Sequence, residues 1–191
     1  MTLLDGKVAL VTRASGAIGR AIAVKLASRG AAIAARYGSN VAAVTETARL
    51  VDAAGSNVEI FKADMADAAQ IRAMFAVIDG AYGRLDILIN NAGVGIQRNI
   101  CDISEEDFEK TFAINTKGYL FCMQEAGKRI GEGGRIINIS SVLAQLSRPG
   151  PVEPGMFQDT SETIRERARA LSPFNRVGAP EDIADIVAFL A

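Results

Sequence analysis

Residues 7–23, Lys-Val-Ala-Leu-Val-Thr-Arg-Ala-Ser-Gly-Ala-Ile-Gly-Arg-Ala-Ile-Ala, decide the fold class of this chain. The apolar run at residues 8–11 is too short for a helix and predicts a buried strand. A turn of small residues follows, and then Ile18, Ile22 and Leu26 recur at the spacing of a buried helix face. A strand, a small-residue loop and a helix in this order open a doubly wound α/β fold, where backbone N–H groups and the helix end approach a pyrophosphate. Gly and Ala also serve simply to pack a helix on a strand, so this stretch alone leaves that alternative open.

The composition argues against several classes of protein. The 191 residues are 49% hydrophobic and 23% charged, with a net charge of −1 and no basic stripe, so we expect one globular domain over residues 1–191 and no nucleic-acid partner. No apolar run is long enough for a membrane span or a secretory signal, so we expect a cytoplasmic location and no membrane partner. There is no His, and Cys101 and Cys122 lack metal-ligand spacing. These facts argue against a metal site and against Ser-His or Cys-His catalysis.

The rest of the chain alternates short apolar runs with helical patterns. Asn40, Asp67 and Ser104 each stand where a helix N-cap is expected, and the last two begin capping-box patterns. Parallel strands are predicted at about residues 7–12, 31–36, 57–61, 85–90 and 135–140. This alternation predicts a three-layer α/β sandwich in which the strand ends meet along one edge.

Polar residues follow several of these strands at the edge where such sheets bind ligands. Asn90-Asn91-Ala92-Gly93 comes directly after the fourth strand, although an Asn-rich turn is the plain alternative. Arg36 and Ser39 follow the second strand, at a position where an acid would bind the ribose 2′-hydroxyl of NAD and a base suits a 2′-phosphate. This favours NADP, with an ordinary exposed Arg as the alternative. Asp64 follows the third strand, where it would face an adenine.

Other polar groups carry weaker signals. Glu105, Glu106 and Asp107 look like a carboxylate cluster, but acids in a first helical turn are what the helix dipole prefers, so we assign them to capping. Asn115 lies close to an apolar helix stripe, and Ser141 closes the fifth predicted strand.

Taken together, these motifs resemble the short-chain dehydrogenase/reductase family, and more closely its 3-oxoacyl-carrier-protein and polyhydroxynaphthalene reductases. The family's T-G-x-x-x-G-x-G loop corresponds to residues 12–19, and its N-N-A-G motif to residues 90–93. The active-site Asn and Ser of the family fall on Asn115 and Ser141. Its P-G segment falls on residues 149–150, and its C-terminal signature resembles residues 172–184.

The resemblance implies hydride transfer between NADP(H) and a small-molecule carbonyl or alcohol, with Asn115 and Ser141 as catalytic residues. In the family a Tyr supplies the proton, a Lys lowers the pKa of that Tyr and holds the ribose, and subunits form homo-oligomers. With the strand-end residues above, the cofactor-binding positions are Thr12, Arg13, Ser15, Gly16, Ala17, Ile18, Gly19, Arg36, Tyr37, Ser39, Asp64, Met65, Asn91, Ala92, Gly93, Pro149 and Gly150.

Four departures from the family pattern limit the activity that the resemblance implies. Arg13 and Ala17 replace two loop glycines, and Arg13 adds both bulk and a positive charge beside a pyrophosphate. None of the three tyrosines has a Lys four residues later, so the Tyr-x-x-x-Lys pair is absent. The spacing indicates an internal deletion near residues 147–150 of one helix and one strand, roughly 30–40 residues. Residue 191 falls where the family continues into its last strand.

The deletion removes the family's main proton donor and much of its subunit contact. The sequence therefore predicts an NADP-dependent oxidoreductase fold whose turnover depends on the missing segment. A catalytically silent nucleotide-binding relative and a truncated product both remain open as alternatives.

Overall fold

A computed structural model describes residues 3–96, 98–141, 152–153, 161–172 and 176–191. Five parallel strands form one sheet in the spatial order β3-β2-β1-β4-β5. The strands are β1 Val8–Val11, β2 Ala32–Tyr37, β3 Val58–Lys62, β4 Ile87–Asn90 and β5 Arg135–Asn138. The predicted doubly wound parallel sheet is confirmed, and each strand lies within a few residues of its predicted position.

Seven α-helices accompany the sheet in the described ranges. They are α1 Ala17–Ala27, α2 Val41–Ala53, α3 Ala68–Tyr82, α4 Glu105–Phe112, α5 Tyr119–Gly127, α6 Glu162–Leu171 and α7 Pro180–Leu190. A π-helical segment, Ala113–Gly118, joins α4 to α5. Within the described part of the chain, no helix has both the length and the apolar character that a membrane crossing requires.

The strand order reverses beside β1. The chain builds outward from β1 through β2 to β3, then crosses back to place β4 on the other side of β1. Leu10 of β1 therefore lies opposite Ala34 on one side and Leu88 on the other. In open α/β sheets a ligand crevice forms outside the carboxyl ends of the strands at such a reversal. The fold thus points to the loops after β1 and β4.

Each face of the sheet has its own apolar core. On one face, Ile22 and Leu26 of α1 pack with Val187 of α7 and the inward side chains of β1. On the other, Phe75 of α3 packs with Cys122 of α5. Because both faces are covered, the inner strands β1, β2 and β4 are largely continuous apolar runs and do not alternate between apolar and polar residues, so the sequence pattern predicts them.

The predicted helix caps are present. Asn40 Oδ1 accepts a hydrogen bond from the Ala43 N–H at 2.9 Å. Ser104 and Asp107 form a reciprocal capping box. Asp67 accepts from the backbone of Gln70, but the Gln70 side chain bonds to the Asp67 carboxylate instead of its backbone, so this capping box is incomplete.

Large apolar side chains are exposed on the helices after β4. Ile100 is 82% exposed and Leu120 is 56% exposed, and the Phe108 and Phe112 rings stack with centroids 4.3 Å apart on the surface of α4. Contiguous apolar surface marks an interaction site or an aggregation liability. The expectation that a covering element of the family is missing here stays a prediction.

A buried carboxylate ties β1 to β4 at the amino end of the sheet. Asp86 is 8% exposed and accepts from the Val8 N–H at 2.9 Å, from Arg84 Nη2 at 2.6 Å and from Lys7 Nζ at 3.3 Å. Burial acts to raise the pKa of Asp86, but the hydrogen bonds from Arg84, Val8 and Lys7 outweigh it, and the pKa lies below its ordinary value.

We expect Asp86→Asn to lower the free energy of unfolding by about 1–3 kcal/mol at pH 7, because it weakens charge-assisted hydrogen bonds. A lowered folded-state pKa stabilises the fold above the unfolded pKa of about 3.9 and loses this effect as the pH falls through the folded value. The difference between native and variant proteins should therefore shrink below pH 4. Urea unfolding followed by circular dichroism from pH 7 to pH 2.5 measures it.

The matched control is Asp52→Asn, which changes an exposed acid next to the end of α2. It should alter stability by only a few tenths of a kcal/mol. An Asp86→Asn effect that stays constant across the pH range would contradict the assignment.

Candidate cofactor and active site

The Thr12 side chain joins the two loops that border the crevice. It is fully buried, and its hydroxyl donates to the Ile89 carbonyl at 3.2 Å. The same oxygen accepts from the backbone N–H groups of Asn91 at 2.8 Å and Ala92 at 2.9 Å. Asn91 Nδ2 returns a hydrogen bond to the Thr12 carbonyl at 3.0 Å. The predicted N-N-A-G motif is thereby held directly against the loop after β1.

The start of α1 faces this crevice. Gly16 is the N-cap, and the first turn has no acidic residue and no side-chain cap among the described residues. A Cβ at Gly19 would lie 2.7 Å from Asn91 Nδ2 and closer still to the Arg13 carbonyl oxygen. Gly19 is therefore required for the close packing of α1 against both loops. Uncapped N–H groups at a helix start are suited to an anion.

Arg13 adopts a backbone conformation that usually belongs to glycine. Its φ is +54°, and it is the only non-glycine residue with positive φ in the described ranges. For an L-residue this conformation costs about 1–2 kcal/mol. Its Nη1 donates to the Gly93 carbonyl at 2.6 Å, across to the loop after β4. The sequence shows that Arg13 replaces a loop glycine of the family. The structure shows that its side chain contacts Gly93.

Arg36 is buried near the end of β2. It is only 7% exposed, its Nε donates to the Ala63 carbonyl at 2.9 Å, and its Nη2 contacts the same oxygen. Desolvation by burial lowers the pKa of Arg36 to about 10. The alternative of an ordinary exposed Arg is therefore wrong. Tyr37 is half-buried and Ser39 is exposed at the end of the same strand.

Asn115 holds the loop after β4 by a two-point contact. It lies in the π-helical segment, where its Oδ1 accepts from the Val94 N–H at 3.0 Å and its Nδ2 donates to the Val94 carbonyl at 2.8 Å. π-Helical turns occur frequently at functional sites. Sequence reasoning selected Asn115 but missed Gly118, where a Cβ would lie 2.5 Å from the Met65 carbonyl oxygen. A glycine at the end of the Asn-containing turn was the available signal.

The remaining predicted residues are placed as follows. Asp64 is exposed after β3, and its Oδ1 accepts from the Ala66 N–H at 2.9 Å, while Met65 is buried. Ser15, Ala17 and Ile18 are half-buried around the start of α1. Ser141 is exposed three residues beyond β5, on the same sheet edge. Pro149 and Gly150 lie outside the described residues.

Tyr119 contacts the segment that leads to Ser141. Its hydroxyl donates to the Ile139 carbonyl at 3.1 Å, and burial raises its pKa to about 12. Cys122, one turn further along α5, is buried, and burial raises the pKa of its thiol to about 12. Neither side chain releases a proton readily at neutral pH. Within the described residues, no group of three or more His, Cys, Asp or Glu side chains could hold a metal ion.

Comparison with known proteins agrees with this geometry. The family model for short chain dehydrogenases matches residues 7–153. A short-chain type dehydrogenase/reductase of Picea abies is 36% identical, with 98% of this chain and 86% of the relative covered. The trihydroxynaphthalene reductase of Colletotrichum orbiculare is 32% identical, with 98% and 84% covered. The angucycline C-6 ketoreductase LanV, solved with bound NADP, superposes with a TM-score of 0.90 at 32% identity, covering 98% of this chain and 89% of LanV.

The alignments are longer than this chain. The Picea abies alignment runs over 234 positions and this chain has 191 residues, so at least 43 positions of the relative have no counterpart here. That number is similar in size to the predicted deletion, whose place near residues 147–150 stays a prediction. The matched residues, the parallel sheet and the relatives agree, and the chain belongs to the short-chain dehydrogenase family.

Proposed function

We propose that this member of an oxidoreductase family binds NADP(H) in the crevice between the loops after β1 and β4. We further propose that its 191 residues do so without reducing a carbonyl substrate above the background rate. The observation that carries the binding proposal is the Thr12 hydroxyl, which joins both loops at the strand-order reversal. For a version of this site that has a proton donor, the proposed substrate is a small-molecule carbonyl.

The residues at the crevice fit a dinucleotide in their backbone geometry. Gly19 permits the close approach of α1, and the uncapped helix start is oriented toward the sheet edge. A pyrophosphate placed there would accept hydrogen bonds from the first-turn N–H groups and interact favourably with the helix dipole. The cofactor, when bound, supplies the hydride, and the protein supplies position and electrostatics.

The proposed lack of turnover follows from the missing proton donor. Ser141 can donate a hydrogen bond to a substrate oxygen, and Asn115 fixes the loop beside it. Neither can replace a tyrosine acid, because a serine hydroxyl is far less acidic than a phenol. Tyr119 has a pKa raised to about 12 and already donates to a backbone carbonyl. General acid catalysis contributes about 10²–10⁴-fold to the rate, which this site would forgo.

The preference for NADP rests on the cation at the end of β2. Arg36 stands where an NAD site needs an acid, and a guanidinium has five N–H donors, so the contact with Ala63 leaves donors for a phosphate. The related ketoreductase LanV was solved with NADP. These two facts support NADP(H) over NAD(H).

The nearly isosteric substitution Thr12→Val tests the role of the Thr12 hydroxyl. Thr12→Val removes the oxygen that accepts from Asn91 and Ala92, leaving buried N–H groups unpaired. We expect a loss of about 1–3 kcal/mol in the free energy of unfolding and at least tenfold weaker NADPH binding. Calorimetric titration and urea unfolding measure these effects. Thr45→Val, on the exposed side of α2, is the matched control and should leave NADPH affinity unchanged. Native NADPH affinity in Thr12→Val would contradict the proposal.

Arg36 provides the test of cofactor choice. Arg36→Met keeps an unbranched side chain in a buried place but removes the charge, so we expect the ratio of NADPH to NADH affinity to fall about 10- to 100-fold. Fluorescence titrations with both cofactors measure the ratio. Arg49→Met, which alters an exposed Arg paired with Glu46 on α2, should leave it unchanged. Tighter binding of NADH than NADPH by the native chain would overturn the preference for NADP.

Catalysis is tested by the loss of NADPH absorbance with an acetoacetyl ester or a quinone. We expect the native chain to match the background rate, and a variant with a Tyr-x-x-x-Lys helix and strand inserted before Pro149 to gain about 10²–10⁴-fold. The inserted unit carrying Phe in place of its Tyr is the control. Substantial turnover by the native chain that Ser141→Ala abolishes would show that another group supplies the proton.

A further inference from the structure

We propose that Arg13 is a latch that closes the nucleotide crevice while the protein is free of cofactor. The proposal rests on the proposed function, because it concerns entry into the same crevice. It assigns a role in regulating cofactor access to a residue that replaces a loop glycine of the family.

The Arg13 side chain reaches across the crevice from one loop to the other. Arg13 belongs to the loop after β1 and Gly93 to the loop after β4, and the Nη1 to carbonyl distance is 2.6 Å. These two loops border the strand-order reversal, where α/β sheets bind their ligands. A hydrogen bond between them therefore crosses the space that a dinucleotide needs.

The same side chain covers the start of α1. Arg13 Nε and Cγ lie 3.4 Å and 3.5 Å from the position of a Cβ built on Gly16, the N-cap of α1. The guanidinium stem thus runs over the helix end that we propose as the phosphate position. We infer that this side chain competes with a phosphate for that position.

We infer that the side chain of Arg13, rather than its backbone, moves when the crevice opens. Its backbone is held at φ +54°, its carbonyl oxygen packs against Gly19, and Asn91 Nδ2 lies 3.5 Å from that oxygen. A strained conformation persists only where the surroundings determine it fully, and such sites cluster where function requires them. Rotation about the side-chain bonds opens the crevice without disturbing the Thr12 contacts.

The strength of the Arg13 latch depends on the Gly93 carbonyl, which accepts its hydrogen bond. The Gly93 carbonyl is neutral, and a phosphate is a stronger acceptor for a guanidinium. A nucleotide can therefore displace the contact, but the observed affinity is reduced in proportion to the fraction of molecules that are open. Removing the latch should raise both the association rate and the affinity.

The experiment follows NADPH fluorescence in a stopped-flow instrument for native protein, Arg13→Gly and Arg13→Asn. Gly and Asn both tolerate positive φ, and neither reaches Gly93. For native protein, the observed rate should level off as NADPH concentration rises, because opening becomes limiting. For both variants it should rise linearly, with a Kd about tenfold lower. Arg29→Asn is the matched control, since Arg29 Nη1 donates to the Ala188 carbonyl at the same 2.6 Å, away from the crevice.

The outcomes separate the latch from the proposed function. Equal rates and affinities in native and Arg13 variants overturn the latch and leave the function standing. Weaker binding by both variants also overturns it and shows that Arg13 holds the phosphate. Absence of NADPH binding in all four proteins overturns the proposed function and the latch with it. In nucleotide-free protein, amide exchange at residues 93–96 should quicken in both Arg13 variants and not in Arg29→Asn, and unchanged exchange would count against the latch.

Discussion

One buried hydroxyl organises the functional edge of this protein. Thr12 stands at the end of the central strand, and its oxygen is bonded to three backbone groups of the segment Ile89–Ala92. A buried N–H without a partner is costly, so these bonds fix the loop after β4 on the loop after β1. Arg13, Gly19 and Asn115 take their positions from the two loops that Thr12 joins.

The described site contains side chains that hold backbone in place, and the proposed lack of turnover concerns the group that would transfer a proton. Thr12 and Asn115 each form hydrogen bonds with the backbone of the loop after β4. Both partners of each contact lie within the described residues. General acid catalysis is most effective when the pKa of the proton donor lies near the working pH. Burial moves the pKa of Tyr119 in the opposite direction, to about 12. Under the proposed function, the framework that binds the nucleotide is therefore separate from the chemistry of the family.

Two arginines show how one residue type takes different roles at one sheet edge. Arg13 is partly buried and crosses between loops, whereas Arg36 is buried beneath the edge and bonded to the Ala63 carbonyl. A buried guanidinium needs acceptors, and backbone carbonyls at strand ends provide them. Neither arginine has a carboxylate as its partner among the hydrogen bonds of the described residues.

The sequence by itself determined the order and approximate ends of the five strands, the caps at Asn40 and Ser104, and the family. These features depend on local patterns: strands buried on both faces appear as continuous apolar runs, and caps depend on residues three positions apart. Only the tertiary structure decided that Arg13 contacts Gly93, that Arg36 is buried, and that the Asn115 segment is π-helical. Arg13 and Gly93 are 80 positions apart in the chain, and Arg36 and Ala63 are 27 apart. Such contacts form only when the parallel strands bring distant loops to one edge, and no local pattern in the sequence encodes that proximity.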